Sequence, residues 1–334
     1  MSEDQDATVR LTPAAQAAAP ATPAGAKAIS TAGQGLPRTG LAVCAAVLAL
    51  SCIAAWLLLV SPAPKRPQDV QPVVPELPTA PVAALPYKVA PMLDEAGILA
   101  LQPEQPIMLR LQSNPAIFVL LFTDLDQQGA ALNRVAALIE KRGLPRDRLL
   151  TDAELAAAIA ASGDTPATWF FGHDYRASDL GRFFSFALRD GVPLNEAELW
   201  VRDRLRDALA QSKPGGAVAL VSVANAGPQM DATMRAVILR HEVAHGHYFT
   251  LPGFAAHVHM VWHDRFSDAD RVAFTTLFAR EGYDTTNAEL MANEAMAYML
   301  FTPDPRIFNA GMVGMTEPQL DRLRELMRLG LPLP

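Results

Sequence analysis

The chain has 334 residues, half of them hydrophobic, and a formal net charge of −7 at pH 7. Its 28 basic and 35 acidic side chains form no basic stripe, which excludes nucleic acid as an expected partner. The two cysteines, Cys44 and Cys52, both fall within one apolar run, so the rest of the chain offers neither disulfides nor thiolate ligands. A metal site must therefore be built from histidines and carboxylates.

Three segments precede the part of the chain that is patterned like a globular domain. Residues 1–40 are rich in Ala, Thr and Pro, and this composition predicts a disordered tail. Residues 41–61 contain an uncharged apolar run whose length predicts a single transmembrane helix, with a cleaved signal peptide as the weaker alternative. Residues 62–91 carry nine prolines and are interpreted as an extended linker.

The orientation of the predicted membrane helix rests on few charges. Lys27 and Arg38 precede it and Lys65 and Arg66 follow it, which is a near tie under the positive-inside rule. Because long domains translocate largely regardless of charge, we expect a single-pass protein of a bacterial-type inner membrane with a periplasmic C-terminal domain. The membrane is then one expected partner, through residues 41–61.

From about residue 92 the pattern becomes that of a folded domain, which we take as one metallopeptidase-like unit over 92–334. Strands are predicted at 116–123, 168–171 and 216–223, and helices at 130–141, 151–162, 178–189 and 195–210. Thr151 and Glu154 form a capping box at the start of the second of these helices. Beyond the last strand the pattern is almost wholly helical. This order predicts an α+β fold, with a mixed α/β lobe and small sheet at 92–228 and a mainly helical lobe at 229–334.

The most informative stretch is His241-Glu242-Val243-Ala244-His245. Two imidazoles four residues apart on a helix lie on the same face, because 3.6 residues complete a turn, so both can reach one metal ion. The carboxylate between them is placed to take a proton from a water on that metal. The pattern is typical of zinc metallopeptidases, and the alternative is a helix that carries two histidines by chance.

A catalytic zinc usually has three protein ligands, so a third is expected elsewhere. Glu294 is the candidate, because a carboxylate within an apolar helical segment is costly unless it is paired or binds a metal. Glu289 is instead explained as the N3 residue of a capping box that begins at Thr286. The alternatives are a solvent-facing glutamate at position 294 and a ligand among His257, His259 and His263.

These motifs resemble those of the gluzincin branch of the zincin metallopeptidases, through HExxH and through Asn293-Glu294 with Tyr298 following. The resemblance covers the helical lobe and implies a zincin-like fold. By position it makes His241, His245 and Glu294 the Zn²⁺ ligands and Glu242 the general base. Many members carry an aspartate at the position of Tyr298, as a hydrogen-bond partner of a ligand histidine. Here the tyrosine hydroxyl is expected to substitute for it in the catalytic site.

The expected activity is zinc-dependent hydrolysis of a peptide or protein substrate, with Glu242 passing the proton on to the leaving amine. By resemblance, the strand at 217–223 is the candidate sheet edge for pairing with an extended substrate, and an ordinary core strand is the alternative. The oxyanion donor stays open among Tyr248, Tyr283, Tyr298, His257, His259 and His263. Two other functions also stay open: a membrane-tethered interaction or assembly protein without catalysis, and a zinc hydrolase of a non-peptide bond.

Overall fold

The structure is a computed structural model that describes residues 87–331. The predictions for residues 1–40, for 41–61 and for most of the Pro-rich linker lie outside these residues. The domain begins with β1 (Met92–Leu93) and α1 (Glu95–Ala100), and β2 (Ile107–Leu111) then pairs with β1 in parallel.

A five-stranded mixed sheet in the order β1-β2-β3-β5-β4 forms the centre of the described domain. Every residue of β3 (Ile117–Phe122) and β5 (Ala219–Ala224) is buried, and the two strands are parallel neighbours. Burial on both faces explains why these strands are continuous apolar runs rather than alternating ones. The last strand, β4 (Gly172–Arg176), runs antiparallel to β5 and, among the described residues, pairs with no other strand.

Helices cover the sheet and form the C-terminal part of the described chain. They are α2 (Leu125–Ile139), α3 (Asp152–Ala161), α4 (Ala177–Asp190), α5 (Glu196–Ala210), α6 (Ala232–Thr250), α7 (Pro252–Met260), α8 (Asp268–Arg280), α9 (Ala288–Phe301) and α10 (Glu317–Arg328). A π-helical turn (Val261–Arg265) follows α7, and a short 3-10 helix (Ala310–Val313) precedes α10.

The predicted α+β pattern is confirmed in most elements and wrong in others. The strands at 116–123 and 216–223 correspond to β3 and β5, and the capping box of Thr151 and Glu154 begins α3 as predicted. The strand predicted at 168–171 is wrong, since β4 starts at Gly172, and the short strands β1 and β2 were not anticipated. The division into lobes at residue 228 stays a prediction.

One component of the predicted fold class, the membrane helix, is corrected. Between residues 87 and 331 the structure contains no helix that is both long enough and apolar enough to cross a membrane. On this finding the single transmembrane helix, the single-pass architecture and the inner-membrane location are withdrawn. The segment 41–61, on which these predictions depended, lies outside the described residues. The fold class that remains is an α+β domain with a five-stranded mixed sheet.

The helix α6 contacts the sheet near both of its ends. The Asp231 side chain caps its N-terminus by accepting from the Met234 amide at 2.7 Å. Arg235 is buried and donates to the carbonyls of Ala224 in β5 and of Leu99. Further along, a Cβ at Gly246 would lie 2.8 Å from Cδ1 of Ile117 in β3, so any larger residue there would force the Ile117 side chain to shift.

Candidate metal centre

Three residues of the HExxH motif lie on the buried side of α6. His241, Glu242 and His245 are 3%, 5% and 0% exposed, respectively. The Nε2 atoms of the two histidines face each other at 3.0 Å. Two ring nitrogens in this arrangement share either one proton or a metal ion, because two lone pairs cannot otherwise point at each other. The helical spacing therefore brings the imidazoles together as predicted.

Glu294 of α9 completes a three-sided arrangement with these histidines. Its Oε2 atom lies 3.8 Å from Nε2 of His241 and 3.9 Å from Nε2 of His245. The side chain is buried, and this oxygen has no hydrogen-bond partner. One ligand atom from each of the three residues lies within 4.8 Å of the others. An orphaned carboxylate oxygen beside two convergent imidazole nitrogens fits a metal ion, so this group can hold one.

The tautomer of His241 follows from its hydrogen bonds. Its Nδ1 atom lies 2.8 Å from Oγ1 of Thr302, and that hydroxyl donates its single proton to the Ala297 carbonyl at 3.1 Å. Thr302 must therefore accept from Nδ1–H, which leaves the lone pair of the neutral imidazole on Nε2. From the sequence, Tyr298 was expected to be the hydroxyl partner of a ligand histidine. In the structure, the hydroxyl that bonds to His241 is that of Thr302.

Two tyrosines connect Glu294 to the neighbouring core. The Tyr283 hydroxyl bonds to Glu294 and to the Tyr298 hydroxyl. The ring of Tyr298 packs edge-on against His241, with ring centroids 5.0 Å apart. These contacts fix the positions of a candidate ligand carboxylate and a candidate ligand ring, and the catalytic role of Tyr298 stays a prediction.

Burial dominates the electrostatics of the centre. It raises the pKa of Glu294 and Glu242 well above the ordinary range, and neighbouring carboxylates raise both further. Burial also lowers the pKa of His245 to about 4, which the Asn293 side chain opposes, and lowers the pKa of His241 well below its usual value. Without a metal the site therefore favours neutral carboxyls and neutral imidazoles. A divalent cation would reverse this for the carboxyls.

The edge strand β4 contributes a residue that the sequence interpretation missed. Asp174 belongs to a second group of possible ligands, with Glu242 and His245, and its Oδ2 atom lies 3.8 Å from Nε2 of His245. Burial and the nearby Glu242 carboxyl raise the pKa of Asp174, and the two carboxyls share a hydrogen bond. The only available signal was an isolated acid in the short polar segment 172–176.

Gly172, at the start of the same strand, lies directly against the side chain of Glu242, the candidate general base. A Cβ there would lie 2.2 Å from Oε1 of Glu242 and within 2.7 Å of its Cγ. The backbone of β4 therefore passes directly over the Glu242 side chain. This contact also shows that the sheet edge beside the site is β4, whereas the candidate edge at 217–223 is a central strand between β3 and β4.

A narrow cleft of about 50 Å³ lies beside Asp174, between β4 and the N-terminus of α9. At this cleft Arg176 forms an ion pair with Glu289 and stacks over the ring of Phe249 at 4.3 Å. The predicted capping box at Thr286 is wrong, because Asn287 caps α9 by accepting from the Leu290 amide at 3.2 Å. Because the Glu289 side chain does not cap the helix, it can pair with Arg176 on the edge strand.

The remaining histidines have other partners. Within residues 87–331 none of them belongs to a group of possible metal ligands, which disfavours a third ligand from the segment 257–263. His257 bonds to the Met327 carbonyl, His259 bonds to the Tyr248 hydroxyl, and His263 stacks on His259. His173 lies in β4, and its Nδ1 atom is 3.0 Å from the Tyr175 hydroxyl.

Comparisons with known proteins assign the chain to no family, since no family model, no curated protein and no solved structure matches it. The gluzincin resemblance therefore stays a prediction from a short set of residues.

Proposed function

We propose that this protein is a zinc-dependent hydrolase that cleaves peptide bonds. The proposal is carried by the convergence of three atoms, Nε2 of His241, Nε2 of His245 and Oε2 of Glu294. The Glu242 carboxyl lies beside the two histidines, on the same helix α6. A purely structural metal site has no need of a further carboxyl next to its ligands with one oxygen left without a hydrogen-bond partner.

The donor set favours zinc over the harder cations. Two imidazoles and one carboxylate are a common ligand set of catalytic zinc, whereas calcium and magnesium prefer oxygen ligands. When bound, zinc would lower the pKa of a coordinated water towards neutrality and polarise the carbonyl of the scissile bond. His241 is already in the tautomer that offers Nε2, because Thr302 accepts from its Nδ1.

Glu242 is placed to move the proton. Its Oε2 atom is buried and has no hydrogen-bond partner, so it is available to accept a proton from the attacking water. A raised pKa suits this role, since the same carboxyl must afterwards release the proton to the leaving amine nitrogen. Glycine at position 172 gives the carboxyl the room that it needs.

An extended peptide is the substrate form that suits the architecture. Within the described residues, β4 pairs with β5 on one side and with no strand on the other. An extended peptide could therefore pair with the outer edge of β4 as a further strand. The same strand carries Gly172 and Asp174 beside Glu242 and His245, so a paired peptide would lie along the centre. The cleft beside Asp174, which Arg176 and Glu289 also line, is the opening that we assign to the substrate.

The test uses the purified full chain, its zinc content and an unselected peptide library analysed by mass spectrometry. We expect about one zinc per chain and cleavage of library peptides, with activity about 10²–10⁴-fold lower in Glu242→Gln at unchanged zinc content. Glu289→Gln removes a nearby carboxylate that is not in the ligand group and should retain zinc. A chain without affinity for zinc, or full activity in Glu242→Gln, would contradict the proposal.

A further inference from the structure

A cavity of about 240 Å³ lies at the C-terminal end of α2, and none of its lining residues belongs to either group of possible metal ligands. Its walls come mainly from the segment after α2, from α3 and from the segment after α8. The volume is below the roughly 300–1,000 Å³ of pockets for drug-sized ligands, so the cavity suits a small molecule.

Backbone hydrogen bonds join two of these walls. The Arg142 amide donates to the Gly282 carbonyl at 3.0 Å, and the Asp284 amide donates to the Glu140 carbonyl at 2.9 Å. Gly282 has a φ of +83°, a left-handed conformation that favours glycine. The shape of the cavity is therefore set by the backbone, which lowers the cost of ordering it around a ligand.

Part of the lining is apolar. It consists of Leu144, Ala158 and Ala161, together with the ring of Trp169. An apolar group that packs against this surface is removed from water, which favours binding. A ligand of the cavity should therefore have a compact apolar body.

A buried lysine lies at the wall of the cavity. The Nζ atom of Lys141 donates to the Glu281 carbonyl at 3.3 Å, and a Cβ at Gly282 would lie 3.5 Å from it. The carboxyls of Glu140, Asp164 and Glu281 all act on this ammonium group. The protein itself thus balances the charge of Lys141.

Arg142 is the other basic residue of the lining, and its charge is not balanced in this way. Its side chain is exposed, and within residues 87–331 it has neither an ion pair nor a hydrogen bond. A guanidinium group stays charged in proteins, and its paired N–H groups match the two oxygens of a carboxylate. A ligand with a single negative charge would therefore complement the cavity.

We propose that this cavity binds a small monocarboxylate, whose oxygens pair with the Arg142 guanidinium while its apolar body packs on Trp169, Leu144 and Ala158. The inference goes beyond the proposed function, since it requires neither a metal ion nor hydrolysis.

The experiment is a calorimetric titration of the full chain with isovalerate and with two compounds of similar shape, the neutral isovaleramide and the cationic isoamylamine. We expect isovalerate to bind at least about tenfold more tightly than the amide, because hydrogen bonds between charged groups are the stronger kind. No binding of isovalerate, equal binding of the amide, or tighter binding of the amine would overturn the proposal.

Two variants locate the bound carboxylate. Arg142→Gln removes the charge and should weaken isovalerate binding at least about tenfold, whereas Arg265→Gln, at an exposed arginine outside the cavity, should bind like the parent chain. Ala158→Leu fills part of the cavity and should abolish binding. Ala157→Leu, at an exposed position of the same helix, should leave it intact.

Unchanged binding in Arg142→Gln or in Ala158→Leu would overturn the proposal. A carboxylate held by a metal ion between α6 and α9 would still bind to Ala158→Leu, so this variant separates the cavity from the metal centre. Circular dichroism checks the folding of each variant. Because the Arg142 side chain is exposed and unpaired, Arg142→Gln decides the question even if Ala158→Leu does not fold.

Discussion

The two walls of the metal centre are encoded in different ways. The helical wall, made by α6 and α9, takes its groups from HExxH and from a glutamate in an apolar helix. The strand wall, made by β4, contributes Gly172 and Asp174, which belong to no periodic pattern. The comparison shows that a sequence defines side chains on one helix face directly, whereas groups that meet across elements appear only once the chain is folded.

The largest effect is expected where the strand wall touches the general base. Gly172→Ala would place a Cβ 2.2 Å from Oε1 of Glu242, so the carboxyl must move. We expect hydrolysis to fall about 10²-fold or more, as for loss of a general base, while zinc stays bound. Peptide cleavage and zinc content of the same preparation check this. Gly181→Ala, where nothing lies within 4 Å, is the matched control. Parent-like activity in Gly172→Ala would show that the strand wall does not position the base.

A smaller effect tests how the helical wall holds its ligands. Thr302→Val removes the hydroxyl that accepts from Nδ1 of His241. The loss of such a partner should weaken zinc binding about 10–100-fold, measured by competition with a chelator. Thr275→Val, whose hydroxyl donates only to helix carbonyls, should bind zinc normally. Unchanged affinity in Thr302→Val would mean that α6 alone fixes the His241 ring.

The pH dependence of zinc affinity tests the same wall without a mutation. Burial raises the pKa of Glu294 well above its ordinary range, so its carboxyl holds a proton to higher pH than an exposed glutamate does, whereas His245, whose pKa burial lowers to about 4, is neutral near pH 7. Zinc must displace the Glu294 proton, so affinity should rise with pH by about tenfold per unit over the range in which that proton is present. Competition with a chelator, carried out at about pH 6 to about pH 8, measures this change in zinc affinity. Affinity independent of pH would indicate that Glu294 is already ionised or is not a ligand.

The smallest effect concerns the packing of the helical wall on the sheet. Gly246→Ala would place a Cβ 2.8 Å from Cδ1 of Ile117. Overpacking of this kind costs about 1–3 kcal/mol, which denaturant unfolding can measure. Gly181→Ala in α4 has open space and should be neutral or stabilising. Equal stabilities of the two variants would argue against the close packing of α6 on β3.

The sequence predicted the helical wall because local rules governed it. His241 and His245 share a helix face, and burial of Glu294 follows from its apolar neighbours. The strand wall obeyed no such rule, since Asp174 meets His245 only through the pairing of β4 with β5. Thr302 was missed for a similar reason, because its contact joins His241 of α6 to the residue that follows α9, across 61 positions of sequence.

Anomalous diffraction at the zinc edge, from crystals of the full chain grown with zinc, tests the central claim most directly. The account predicts one strong peak between the Nε2 atoms of His241 and His245 and the carboxylate of Glu294. A saturated crystal with no peak at that position, or with its zinc bound only at other histidines, would contradict it.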